Sequence, residues 1–230
     1  RAGRPGRSTT PGACDTGRME HLHAVVGPLG TNVHVLADPR SREAIAIDTA
    51  TPSLAWIAEG LAQRGWTLKL IVSTHGHWDH VGDNAAVAEH TGAQVAVHPA
   101  DAAMLIPPQP LWAPFEIVPS VPAVDLAEGG EIRFGEVRLR VLHTPGHTPG
   151  SVCLLSDDHG ALWSGDTLFA GGWGRVDLPG GSPDAMADSL ARLAGLEDRL
   201  RVFPGHGTAT TLGRERAWLD LVVAQRRLPF

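Results

Sequence analysis

From Leu22 the chain alternates short β-rich runs with turns. Leu22–Val26, Val33–Ala37 and Ala44–Ile47, the last ending in Asp48, predict a β-meander at the start of a sheet. Pro52 opens a helical stretch, Ser53–Arg64, that Gly65 closes, and the strand Leu68–Ser73 follows. Further on, Asp83–Glu89 predicts a helix, Gln94–Val97 a strand and Asp101–Leu105 a short helix. The six prolines of Ile106–Pro122 argue against regular structure, so this segment, with Leu111, Trp112 and Phe115, is expected to be a loop walling a pocket.

A second strand-rich half follows, with Glu131–Phe134, Val137–Leu142, Ser151–Leu155 and Ala161–Ser164 separated by glycine and aspartate turns. The helix Pro183–Leu193, the strand Arg201–Phe203 and the helix Leu212–Gln225 complete it. Two βα halves of this kind imply an α/β fold in which two sheets pack together with helices outside. One domain over residues 19–230 is expected, preceded by an Arg-, Gly-, Pro- and Ser-rich extension, residues 1–18, without an apolar core and read as disordered.

Composition narrows the function. With 43% hydrophobic residues, 19% charged residues and a net charge of -6, the chain is an ordinary globular sequence with no general attraction to phosphate backbones, so nucleic acid is disfavoured as a partner. No apolar run approaches the roughly twenty residues of a membrane span. Two cysteines, Cys14 and Cys153, suggest neither a disulfide framework nor a cysteine zinc site, and a reducing, cytoplasmic setting is expected.

The chemistry is concentrated in four glycine- and proline-flanked stretches: Thr74-His75-Gly76-His77-Trp78-Asp79-His80, Thr144-Pro145-Gly146-His147, Gly165-Asp166 and Pro204-Gly205-His206-Gly207. His75 and His77 at a strand end point to the same side, while Asp79 and His80 turn with the chain into a helix. Imidazole and carboxylate donors suit zinc first, with iron or manganese as alternatives, and a carboxylate such as Asp166 can bridge two ions. Two divalent ions about 3.5–4 Å apart acidify a shared water and polarise a carbonyl, which is a hydrolase design.

Taken in order, these motifs resemble the metallo-β-lactamase superfamily from about Met19 to the C-terminus. His143-Thr144-Pro145-Gly146-His147-Thr148-Pro149-Gly150-Ser151, Gly165-Asp166-Thr167-Leu168-Phe169 and Gly174-Arg175-Val176-Asp177 are similar to its glyoxalase II (hydroxyacylglutathione hydrolase) branch. The resemblance implies an αββα sandwich of two mixed sheets. It implies His75, His77 and His147 on a first metal, Asp79, His80 and His206 on a second, and Asp166 as the bridge. Asp79 and Asp166 are then the candidate catalytic residues, and Asp48 a residue behind the ligands. The implied activity is hydrolysis of a small acyl thioester by a metal-bound hydroxide. Tyr is absent, and the chain after His206 is too short for the extra helical domain of full-length glyoxalase II, so the carrier thiol stays open.

Among the other residues, His143, four before His147, is a candidate supporting donor. Trp112, Phe115, Trp173 and Arg175 are candidate substrate contacts, although a structural ion pair of Arg175 with Asp177 is the simpler reading. His21, His23, His34, His90, His98 and His159 read as structural or surface residues, and Cys153 as a core residue. The rival activities are a mononuclear-iron persulfide dioxygenase using His75, His147 and Asp166, a lactonase, and a silent binding module. A β-lactamase is disfavoured because its cysteine-containing second site would need Cys at 166, and a flavodiiron protein because it would need a carboxylate at 77. The expected partner is a small-molecule substrate.

Overall fold

The computed structural model describes residues 19–106, 113 and 116–229. The proposed extension, residues 1–18, and both Trp112 and Phe115 lie outside the described residues. Six strands, β1 (Glu20–Val26), β2 (Thr31–Ala37), β3 (Glu43–Ile47), β4 (Thr67–Val72), β5 (Gln94–Val97) and β6 (Val124–Asp125), form one sheet in that order. The β1–β2 and β2–β3 pairings are antiparallel and the remaining three parallel. A second sheet runs through β7 (Glu131–Phe134), β8 (Val137–His143), β9 (Val152–Ser156), β10 (Ala161–Gly165), β11 (Arg201–Pro204) and β12 (Thr210–Thr211), with only the β10–β11 pairing parallel. Both sheets are thus mixed, as expected.

Helices α1 (Leu54–Arg64), α2 (Trp78–Val81) and α3 (Asn84–Thr91) belong to the first half, with a 3₁₀ segment at Pro99–Leu105. Helices α4 (Pro183–Ala194) and α5 (Leu212–Gln225) belong to the second. Three buried clusters account for the layers. Leu36, Ile45, Ile47 and Val72 meet Phe134, Leu139, Val141, Leu154 and Trp163 between the sheets. The outer face of the first sheet packs Val33, Val35 and Ile71 against Ile57 and Val87, and that of the second packs Cys153, Leu155 and Val202 against Leu190, Leu219 and Val222. Strands covered on both faces read as near-continuous apolar runs, and β3, Glu43–Ile47, is such a run.

Local signals set the helix ends. In α4, Ser182 accepts from the Ala185 N–H and Pro183 occupies the first turn, while Met186, Leu190 and Leu193 recur at helical spacing and are buried. Burying each such side chain stabilises the packing by roughly 1.5–3 kcal/mol. The expected helix Asp83–Glu89 forms as α3, with Asp83 at its N-terminal boundary, and the one-turn helix α2 precedes it across Gly82-Asp83. Asp83 is used elsewhere, its carboxylate accepting the Ser53 and Leu54 N–H groups at 2.6 and 2.9 Å at the start of α1. The two-residue strands β6 and β12 carry too little pattern to be expected from sequence.

Candidate metal centre

Strand register brings the candidate ligands together. Ile47 of β3 sits beside Val72 of β4 in a parallel pair, so Asp48 and the segment Ser73–His75 leave the sheet side by side. In the second sheet His143 pairs with Val152, and the Thr144 N–H to Ser151 carbonyl bond at 2.8 Å closes the loop that carries His147. Gly165 pairs with Pro204, so Asp166 and His206 leave adjacent strands together. The site therefore lies at the carboxyl ends of the parallel strands, where α/β sheets place ligands. Close approach explains one glycine: a Cβ on Gly205 would press on Asp166 Oδ1 and lie 2.8 Å from His80.

All seven sequence-expected ligands meet here. His75, His77 and His147 form one set, Asp79, His80 and His206 another, and Asp166 joins His75 and His80 in a third, each with ligand atoms within 4.8 Å of one another. Asp166 stands between the histidine sets, with Oδ1 at 3.5 Å from His80 Nε2 and Oδ2 at 3.5 Å from His147 Nε2 and 3.6 Å from His206 Nε2. Within the first set His77 Nδ1 is 2.8 Å from His147 Nε2, and within the second His80 Nε2 is 3.1 Å from His206 Nε2.

Hydrogen bonds behind the rings fix which nitrogen faces inward. A carbonyl oxygen can only accept, so His147 Nδ1 donates to the Arg175 carbonyl at 2.7 Å and His206 Nδ1 donates to the Leu29 carbonyl at 3.1 Å. His80 Nδ1 faces Asp48 Oδ2 at 3.0 Å. Thr74 Oγ1 donates to Asp48 at 2.8 Å and so receives the His75 Nδ1 proton at 3.2 Å. Four Nε2 atoms are thereby turned to the centre, the arrangement in which histidines bind metals.

Electrostatics agree with that reading. Burial keeps His75 neutral, its pKa far below the ordinary value, with the neighbouring histidines adding to the effect. Burial and then His147 lower His77 to about 3. His80 is the exception: burial opposes its charge, but Asp166, Asp79 and Asp48 together outweigh burial and push it up to about 10. For Asp79, burial would raise the pKa, yet His80 and His206 hold it well below the carboxylate range. An ion would replace the His80 proton as the partner of these carboxylates.

The donor set fits divalent ions. His75 Nε2 and Asp166 Oδ1 are buried without a hydrogen-bond partner among the described residues, and both face this centre. Such atoms are rare in folded proteins unless an ion or water takes the missing place.

The remaining expected residues sort differently. Asp48 bonds Thr74 and the Nδ1 side of His80, on the far side of that ring from the candidate centre. The His143 ring bonds the Pro149 carbonyl at 2.8 Å and stacks on His98 with centroids 4.1 Å apart, so it braces the loop rather than a ligand. Arg175 and Asp177 form the two-bond ion pair at 2.8 Å, both exposed, while the Arg175 carbonyl is what touches His147. Trp173 packs on Trp218 of α5, ring centroids 5.6 Å apart. Cys153 is a buried strand residue whose thiol burial pushes up to about 11. His21, His23 and His34 form a stacked and hydrogen-bonded group, which agrees with a structural reading.

Asn32 was missed from sequence. Its amide donates to the Pro204 and Gly207 carbonyls at 2.8 and 2.9 Å, and its backbone N–H to Gly205 at 2.8 Å, which grips the loop around His206. A lone polar residue in a strand carries no signal that separates this role from a solvent-facing position. No helix among the described residues is long and apolar enough to cross a membrane.

The chain is 36% identical over 172 residues to a hydroxyacylglutathione hydrolase of Maricaulis maris, matching 75% of this chain and 60% of that one. It thus spans about three fifths of that enzyme. Its structure resembles BLEG-1, a B3 metallo-β-lactamase, with TM-score 0.78 and 30% identity over 88% of this chain and 99% of that one. It also resembles TTHA1623 in a di-iron-bound form, with TM-score 0.70 and 33% identity over 84% and 96% of the two chains. The metallo-β-lactamase superfamily model matches residues 6–206, the span that contains all seven candidate ligands, and the chain belongs to that superfamily.

Proposed function

We propose that this protein is a binuclear metallohydrolase of a small acyl thioester. The observation that carries the reading is the completeness of the second donor set: Asp79, His80 and His206 meet within 4.8 Å, beside a full first set, with Asp166 between them. A one-ion oxygenase site needs only two histidines and a carboxylate. The similarity to a hydroxyacylglutathione hydrolase, and to a protein that binds two irons, supports the same reading.

His75, His77 and His147 would hold one ion, Asp79, His80 and His206 the other, and Asp166 both, with zinc the first choice and iron or manganese the alternatives. When bound, the ions acidify water and polarise the substrate carbonyl. The protein's own part is positional and electrostatic. Arg175, Leu29, Asp48 and Thr74 fix the imidazole tautomers, and burial keeps His75 and His77 unprotonated. Asp79, held ionised and 3.2 Å from His206 Nε2, is the carboxylate placed to accept a proton from an attacking water. A thioester suits this machinery because a thiolate, whose parent thiol has a pKa of about 8.5, departs without a dedicated acid. The substrate is a small molecule, and the site belongs to a cytoplasmic enzyme on this reading.

The deciding experiment measures metal content and oxygen uptake alongside turnover of a hydroxyacylglutathione, a second acyl thioester, a lactone and a β-lactam. Two ions per chain, no oxygen uptake and preference for a thioester support the proposal. One iron with oxygen uptake would replace it by the dioxygenase reading, and preference for the β-lactam would follow the likeness to BLEG-1 instead.

A further inference from the structure

One fully buried carboxylate outside the candidate ligands joins the two halves of the first metal set. Asp101 lies in the 3₁₀ segment and is 0% exposed. Its Oδ2 accepts the Gly76 N–H at 2.9 Å and the Thr148 hydroxyl at 2.6 Å, and its Oδ1 accepts the Gly150 N–H at 2.7 Å. Gly76 is the residue between His75 and His77, and Thr148 directly follows His147. The two segments come from different sheets. Within the first set, His77 Nδ1 and His147 Nε2 nevertheless stand only 2.8 Å apart.

The fit around this carboxylate is tight. A Cβ on Gly150 would lie 2.6 Å from the Asp101 carboxyl, and one on Gly76 would lie 2.6 Å from Met104 Cβ and 3.1 Å from the Asp101 carbonyl oxygen. Both loops therefore approach as only glycine allows. A carboxylate taken out of water needs strong partners, and hydrogen bonds to an ionised acceptor are about twice as strong as neutral ones. Three of them converge here, two from backbone N–H groups that have no rotamer freedom of their own.

We propose that Asp101 is a positioning residue for the first metal: by tying Gly76 to Thr148 and Gly150 it sets the separation of His77 from His147, and so the affinity of that site, without touching the ion. The assignment rests on the reading that His75, His77 and His147 hold a metal. The three bonds of Asp101 reach only the segments that carry His75, His77 and His147, so its effect is confined to one of two sites. Asn at this position keeps the shape but puts an amide N–H against a backbone N–H or the Thr148 hydroxyl.

The test is a cobalt(II) titration of the metal-stripped full chain, followed by absorption and by competition with a chelator, on wild type, Asp101→Asn, Thr148→Val and, to identify the two binding steps, His77→Ala and His206→Ala. Asp101→Asn should weaken the step lost in His77→Ala by about 10- to 100-fold, the range for residues that support metal ligands. It should leave the step lost in His206→Ala unchanged. Thr148→Val, which removes one of the three bonds, should weaken the same step by less, and carries the test should Asp101→Asn not fold. A single wild-type ion weakened by both His77→Ala and Asp101→Asn would sustain the assignment while overturning the two-metal function. Equal weakening of both steps, or an unchanged first step, overturns it, and a wild type that binds no cobalt overturns both readings.

Discussion

Asp48 Oδ2 lies 3.0 Å from His80 Nδ1, and both side chains are buried. The same carboxylate accepts the Thr74 N–H and hydroxyl at 2.8 Å each, and Thr74 in turn meets His75 Nδ1. One aspartate thus orients candidate ligands of both metals. It does so from a left-handed backbone conformation, φ 56°, that a non-glycine residue adopts only when its surroundings hold it there. Asp48→Asn should lower affinity for the second metal by about 10- to 100-fold through a misdirected His80. A chelator-competition titration measures this, and wild-type retention of both ions would remove Asp48 from the role.

Asp166 stands within 3.6 Å of histidine nitrogens from both sets. Asp166→Ala should therefore reduce metal content at both sites and abolish hydrolysis. Elemental analysis of the purified variant reads the outcome, and two tightly held ions would show that no bridge exists.

Among the candidate ligands, His206 is grouped with the second set and lies near Asp166, with Asp79 Oδ2 at 3.2 Å and Asp166 Oδ2 at 3.6 Å from its Nε2. Its replacement by Ala should leave about one ion per chain and reduce turnover strongly, because half of a two-metal clamp is lost. Turnover equal to wild type, with one ion bound, would point to a mononuclear enzyme.

The seven candidate ligands were legible because each sits in a short polar motif bounded by glycine or proline just past an apolar strand, where backbone pattern and chemistry agree. Residues that hold the ligands were not. Asn32 lies in β2 between Thr31 and Val33, where nothing in the alternation shows that its amide reaches the His206 loop. Asp101, at the start of a short helix, reads as a first-turn acid favoured by the helix dipole, not as a clamp between sheets. The Arg175 carbonyl that orients His147 is main chain, which every residue possesses. Contacts between segments 25 to 177 positions apart depend on register, and register is a property of the assembled sheets.

A last prediction concerns acid stability away from the centre. His21 on β1 and His34 on β2 face each other, Nε2 to Nδ1 at 2.9 Å, and Phe203 and Trp163 pack edge-on against the His21 ring. Burial, then the charges of His23 and Arg201, lowers His21 to about 4, and burial lowers His34 far below its usual value. The unfolded chain therefore binds more protons than the folded one once the pH falls below about 6.5. Stability from keeping His21 neutral is fully present above that pH and is lost progressively as the pH falls toward 4. Because His21 is partly solvent-exposed, screening limits the loss to about 1–2 kcal/mol. Comparing urea midpoints of metal-loaded wild type and His21→Gln from pH 7.5 to 4.5 cancels the metal's own pH dependence. The variant should show the shallower decline. Parallel curves for the two proteins would mean that the His21–His34 pair plays no part in acid unfolding.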